Sequence, residues 1–269
     1  MGESVRPVSA PASCYARNRA LCRGVLSLVG GIILWELVAR FVVKSTLIIV
    51  PPSHVVTAFA DLVRQGELQT HVYVSGLEFV AGFGLAAIVG VLLGLAIGVS
   101  DLVRDVLEPW LSALYATPVV AFAPLFVVWM GIGPSSKVAV AFLLAVLPII
   151  INTSAGIRTT EQNLVDVARS FSATRGQVFF KILIPYALAF IIAGLRLGVG
   201  RAIIGVVVAE FFGTRAGLGY LILTSSQLFD TSALFVAVVI LAGVGVLSVI
   251  LLQKLERWLA PWRDFAIRT

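Results

Sequence analysis

The sequence predicts an all-α integral membrane protein with six transmembrane helices and a cytosolic helical loop between spans four and five. Three observations carry this. Of the 269 residues, 59% are hydrophobic and only 13% charged, against about 25% charged in soluble domains. Mean hydropathy is +1.02, so lipid, not water, is the solvent that tolerates the surface. The apolar residues fall into long runs separated by short polar segments.

Residues 1–23 are polar, with Arg6, Arg17, Arg19 and Arg23, and read as a cytosolic tail. The first apolar run, Gly24 to Val43, is too long for a signal-peptide core and has no evident cleavage site, so it is read as a retained span. Pro51-Pro52 breaks the chain, and Ser53 is expected to cap a short amphipathic helix toward Arg64. The second run is Val72 to Val99, followed by a charged turn from Ser100 to Glu108. The third run, Leu111 to Met130, contains Pro118 and Pro124, and Gly131 to Pro134 is a turn. The fourth run, Val138 to Ile151, holds Pro148 and has room to continue to Ile157. After a polar loop from Arg158 to Lys181 comes the fifth run, Ala187 to Ala209. A Gly-rich loop from Phe211 to Asp230 leads to the sixth run, Ala233 to Leu252. The organisation is thus an N-terminal tail (1–23), a transmembrane domain (24–252) with a helical loop at about 158–185, and a basic C-terminal tail (253–269).

The formal charge is +6. A basic balance fits nucleic acid or acidic ligands, but in a membrane protein it first reflects Lys and Arg gathered in cytosolic segments. With the N-terminus inside, the outer segments carry only Lys44, Arg64, Lys137 and Arg215. Arg40, Arg196 and Arg201 fall in spans, and the remaining basic residues lie inside. The asymmetry predicts an even number of spans with both termini cytosolic.

The loop after span four is the most informative segment. Leu164, Ala168 and Phe171 share one helix face. Ser172 and Thr174 can end that helix and cap a second, whose apolar side holds Val178, Phe179 and Ile182. Such helices need a cover, and headgroups or a partner's groove both satisfy the spacing.

Asp166-Val167-Ala168, then Ser172, then Ile182 to Pro185 resembles the cytosolic loop of permease subunits of ATP-binding-cassette importers. That loop has the form E-A-A, three residues, G, nine residues, I-x-L-P. Asp166, Val167 and Ser172 depart from it, and Ser costs up to about 1–2 kcal/mol if the turn needs positive φ. Further fragments are similar to the nitrate, sulfonate and taurine branch: Trp35-Glu36, Pro51 to Ser53, Gly66 to Leu68, Gly131 to Gly133, Pro148 to Asn152, Gly194 to Gly198, Ala209-Glu210 and Gly217 to Tyr220. The resemblance implies a permease that dimerises in the inner membrane around a pathway for a small, anionic solute. It implies a periplasmic or lipid-anchored binding protein that delivers the solute. It also implies a separate ATPase docked on Leu164, Asp166, Ala168, Arg169, Phe171, Ser172 and Pro185.

Intramembrane charges are the other candidates. Glu36 and Arg40, four residues apart, can pair. Arg196 and Arg201 lie about 140° apart around a helix, and Glu210 is on the opposite side from Arg201. Each is a candidate for the pathway, for snorkelling or for pairing with another span, and Glu78 is treated alike. Gly90, Gly94 and Gly98, and again Gly194 and Gly198, mark close helix packing, within the chain or between subunits. Pro118, Pro124 and Pro148 are candidate pathway breaks.

No enzyme signature is present. His54 and His71 are expected to be solvated near the outer surface, with no metal or nucleophile constellation around them. Cys14 and Cys22 are read as reduced thiols. No G-x-x-x-x-G-K-[ST] occurs, so ATP is expected to bind the partner and no cofactor or nucleic acid to bind this chain. The rival reading is a self-contained secondary transporter or channel using Glu36, Glu78 or Glu210. An intramembrane enzyme lacks a nucleophile with its base.

Overall fold

The computed structural model describes residues 13–43 and 48–260, with side chains from Arg23 onward except that of Gln162. Arg6, Lys44, Arg263 and Arg268, and the side chains of Cys14, Arg17, Arg19 and Cys22, lie outside this description. Helix α1 (Ser13–Leu37) runs into a π-turn at Val38–Val43. It starts within the segment read as a polar tail, because Ala20, Leu21 and Arg23 are good helix formers that extend an existing helix cheaply.

Helix α2 (Pro52–Gln65) begins on a proline at its first position and closes on Gly66 at φ 77. The expected Ser53 cap is not made; the Ser53 hydroxyl instead donates to Glu36 Oε1 at 2.9 Å. Helix α3 (Glu67–Val99) starts five residues ahead of the predicted run and, at 33 residues, extends about 50 Å.

The charged stretch after Ser100 is helix and not a turn. Ser100 caps α4 (Asp101–Ala116), and Arg104 bridges Asp101, Asp105 and Glu108 along it. The third predicted span is likewise not one rod: α4 and the segment Val119–Met130, which ends in α5 (Ala123–Met130), meet at 85°. Pro118 has no N–H and bars helical backbone at the residue before it, and Thr117 is extended at φ −87, ψ 136. Five segments are each long and apolar enough to span among the described residues, and this bent pair, counted as one broken span, brings the number to six.

Helix α6 (Pro134–Arg158) continues beyond Ile151 and keeps Pro148 within it. Helix α7 (Gln162–Ser170) stands alone, but α8 (Arg175–Val178) does not. Through a π-turn at Phe179–Leu183 it merges with α9 (Ile184–Glu210). The second short helix expected in the loop is therefore the first turns of span five. The Gly-rich loop contains α10 (Leu218–Gln227), and α11 (Thr231–Leu259) runs beyond Leu252.

Helix α6 is the axis of the core, flanked by α3 and α9. The small-residue stripe on α3 faces it: Gly82 meets Ala141, Gly90 meets Ile149, Gly94 meets Thr153 and Gly98 meets Ile157. On the other side Gly194 and Gly198 meet Ile149, and Gly205 meets Ala141. The stripes serve packing within the chain, since without Cβ atoms the backbones approach closely and gain dispersion contact. Helices α1 and α11 expose Leu26, Ile33, Val246 and Leu251 outward.

Candidate functional site

Helix α7 is amphipathic in two directions. Val165 is buried on the inner side of the helix, and with Ile157, Val178, Arg169 and Ala173 it lines a cavity of about 470 Å³. Leu164, Val167 and Phe171 point outward, and Phe171 is 84% exposed. Ala168 lies half-buried beside them. Leu164 and Pro185, both singled out in the sequence, share a second cavity of about 310 Å³ with Lys181 and Tyr186. Asp166 and Arg169 are exposed, with 4.0 Å between them.

The turn after α7 is built on Ser172, at φ 57. The Ser172 N–H donates to the Arg169 carbonyl at 2.8 Å and the Ala173 N–H to the Ala168 carbonyl at 3.0 Å. These paired bonds close a helix on a left-handed residue, the position where glycine is favoured. Thr174 then caps α8 by a reciprocal exchange with Gln177. The turn thus aims α7 and starts the helix that becomes α9.

The three pathway candidates have separate surroundings. Arg196 donates to Glu256 of α11 at 2.6 Å. Glu210 is buried, accepting from the Ser75 hydroxyl and the Gly219 N–H, each at 2.5 Å. Arg201 is exposed and lines a cavity of about 460 Å³ with Tyr115, Thr117, Pro118, Pro148 and Asn152. No ion pair engages Arg201 among the described residues. A charged side chain in mid-bilayer costs at least about 2.5–3.5 kcal/mol, so this face borders water or protein and not lipid.

Around Glu210 lies a cluster that the sequence reading missed. Lys137, counted as an outer-loop charge, is 1% exposed and donates to the Gly213 carbonyl at 3.2 Å. Glu78 is buried beside it, its Oε2 without a hydrogen-bond partner. His71 is not solvated: it is half-buried and its Nδ1 accepts from the Gly217 N–H at 3.0 Å. Helical spacing contained the signal. Lys137 shares the face of Val140, Ala141 and Leu144, and Glu78 continues the stripe of Gly82, Ala86 and Gly90. Glu36 accepts from the Ser53 N–H at 3.1 Å and pairs with Arg40, as its spacing predicts.

Residues 86–261 match the family described as the binding-protein-dependent transport system inner membrane component. The chain belongs to that family. Curated relatives of this permease are similar over most of their length. A putative aliphatic sulfonates transport permease of Bacillus subtilis is 35% identical, covering 87% of this chain and 84% of that protein. The taurine transport system permease of Escherichia coli is 28% identical over 92% and 91%. A formylaminopyrimidine transport permease of Halalkalibacterium halodurans is 33% identical over 86% and 92%. Among solved structures, a chain of an inward-facing methionine ABC transporter superposes with a TM-score of 0.62 at 17% identity, covering 71% of this chain and 95% of that one. That likeness establishes a shared fold. The permease is a multi-pass membrane transport component of the ABC importer class, and the fold and branch expected from its motifs hold.

Proposed function

We propose that this permease forms, as a homodimer, the pathway for a small organic anion of the sulfonate or taurine kind, and is driven by a separate ATPase held on α7. A periplasmic or lipid-anchored binding protein would deliver the solute on the opposite side, with both termini cytosolic. The observation that carries the reading is the outward apolar face of α7: Phe171 is 84% exposed yet stands on a helix anchored from behind by Val165. A groove in a partner would cover it, with Asp166 and Arg169 at the polar rim. The Ser172 turn and the merger of α8 with α9 supply a rigid route from that contact to the core. The relatives' names, two of them for sulfonated solutes, supply the substrate class.

The chain itself does no covalent chemistry in this reading. Partner closure shifts the population between inward-open and outward-open states. Burial of one aromatic anchor contributes about 2 kcal/mol or more to such an interface. Phe171→Ala and Ala168→Glu are therefore expected to abolish ATP-driven uptake and to weaken co-purification of the ATPase while leaving membrane insertion intact. Wild-type uptake and wild-type ATPase binding by both variants would refute the docking role.

A further inference from the structure

Arg201 sits at mid-depth in the bundle. Its helix lies antiparallel to α6, with Gly198 against Ile149 and Gly205 against Ala141. Arg201 falls between these levels, near the middle of the Pro134–Arg158 helix. Its exposed neighbours on α9, Leu197 and Ile204, are apolar.

The cavity beside it is built where α4 ends and where α6 carries an internal proline. Pro118 ends α4, and Pro148 leaves the Leu144 carbonyl without the N–H it would otherwise receive. Irregular backbone at membrane depth is tolerated where it borders water or protein, so the break at Thr117-Pro118 and the guanidinium without an ion pair among the described residues both fit a space open to water. Two of its side chains offer donors to an anion. Arg201 presents a full guanidinium. Asn152 Nδ2 uses one N–H on the Pro148 carbonyl at 2.8 Å, which leaves its second. The Tyr115 side chain is exposed at the rim. Thr117 spends its hydroxyl hydrogen on the Ala113 carbonyl at 2.7 Å. Among the described residues, no Asp or Glu borders the cavity.

The geometry points to an anion subsite on the pathway, in which Arg201 makes the charged contact with the oxyanion head of a small organic monoanion and Asn152 orients it. Arg201 is then a specificity-determining residue of the permease itself, acting after the binding protein has made its selection. The inference rests on the transport reading above but adds a site and a sign of charge to it.

The test uses the full chain in nanodiscs with Cys14→Ser, Cys22→Ser and a reporter, Thr117→Cys. Its labelling is timed with the anionic 2-sulfonatoethyl methanethiosulfonate and the cationic 2-trimethylammonioethyl reagent, each normalised to its rate with a free thiol. The anionic reagent should be favoured. Arg201→Gln should cut that preference about tenfold, the local counter-ion enrichment a single focused charge supplies, and Arg201→Lys should keep most of it. Ethanesulfonate should slow labelling only when position 201 is basic. Tyr115→Cys serves as a second reporter if Thr117→Cys does not fold. An unreactive thiol at both positions, or a preference untouched by Arg201→Gln, overturns the subsite. The assay needs neither ATP nor a partner, so its failure is distinct from a failure of ATP-driven uptake.

Discussion

The Gly219 N–H donates to Glu210 Oε2 at 2.5 Å, and a Cβ at Gly219 would stand 2.8 Å from that oxygen and 2.6 Å from the Val207 carbonyl. The carboxylate at the end of α9 thus folds the following loop back onto its own helix. Ser75 ties the same clasp to α3 by donating to Glu210 and accepting from the Leu218 N–H at 2.7 Å. Glu210→Ala leaves a buried hydroxyl and a buried N–H without an acceptor, at about 1–3 kcal/mol each. A clear fall in Tm of the purified protein is expected, with a smaller fall for Glu210→Gln. Gly219→Ala should destabilise as well, because a backbone oxygen cannot move aside. Unchanged melting of both Glu210→Ala and Gly219→Ala would show that the clasp contributes nothing.

Ser172 holds a left-handed conformation at φ 57 that glycine adopts without strain. Ser172→Gly is expected to stabilise the turn by about 1 kcal/mol, read as slower hydrogen exchange in the amides of Ala168 to Ala173. Ser172→Val should do the reverse, because a β-branched side chain is worst tolerated there. Equal exchange in all three proteins would contradict the strain argument.

Gly94 faces Thr153 so closely that an added Cβ would lie 2.5 Å from the Thr153 Cβ and 2.9 Å from the Ile150 carbonyl. Gly94→Val must therefore part α3 from α6, and overpacking of this kind costs about 1–3 kcal/mol or more. Lower folded yield in detergent is expected. Gly84, with nothing within 4 Å of an added Cβ, is the control: Gly84→Ala should behave as wild type.

Arg196 and Glu256 tie α9 to α11 at 2.6 Å. Arg196→Glu and Glu256→Arg should each lower Tm, and the double exchange should recover part of the loss. Additive losses in the double variant would mean that the two charges are not coupled.

Topology is open to a separate check. Reporter fusions at Thr269 and after Pro134 should report cytosolic and external locations respectively, following the basic-residue asymmetry. The reverse at either point would break the inside assignment of the α7 loop.

The sequence by itself determined the membrane class, the order of the apolar runs, the packing role of Gly90, Gly94 and Gly98 and the Glu36–Arg40 pair. These rest on local composition and spacings of three or four residues, which helical geometry turns directly into contacts. It missed the break at Thr117-Pro118 as a bend of 85°, because a proline within an apolar run fits either a kink or an end until the neighbouring helices decide. It placed Lys137 and His71 in water and left Glu78 and Glu210 apart. Only the tertiary structure brought Ser75, Glu78, Lys137 and Glu210 together, on three helices separated by up to 135 residues in the chain, and set Arg201 beside a cavity while Arg196 found Glu256. The partner of a buried charge is chosen by which helix faces meet, and that choice is made by packing the whole bundle.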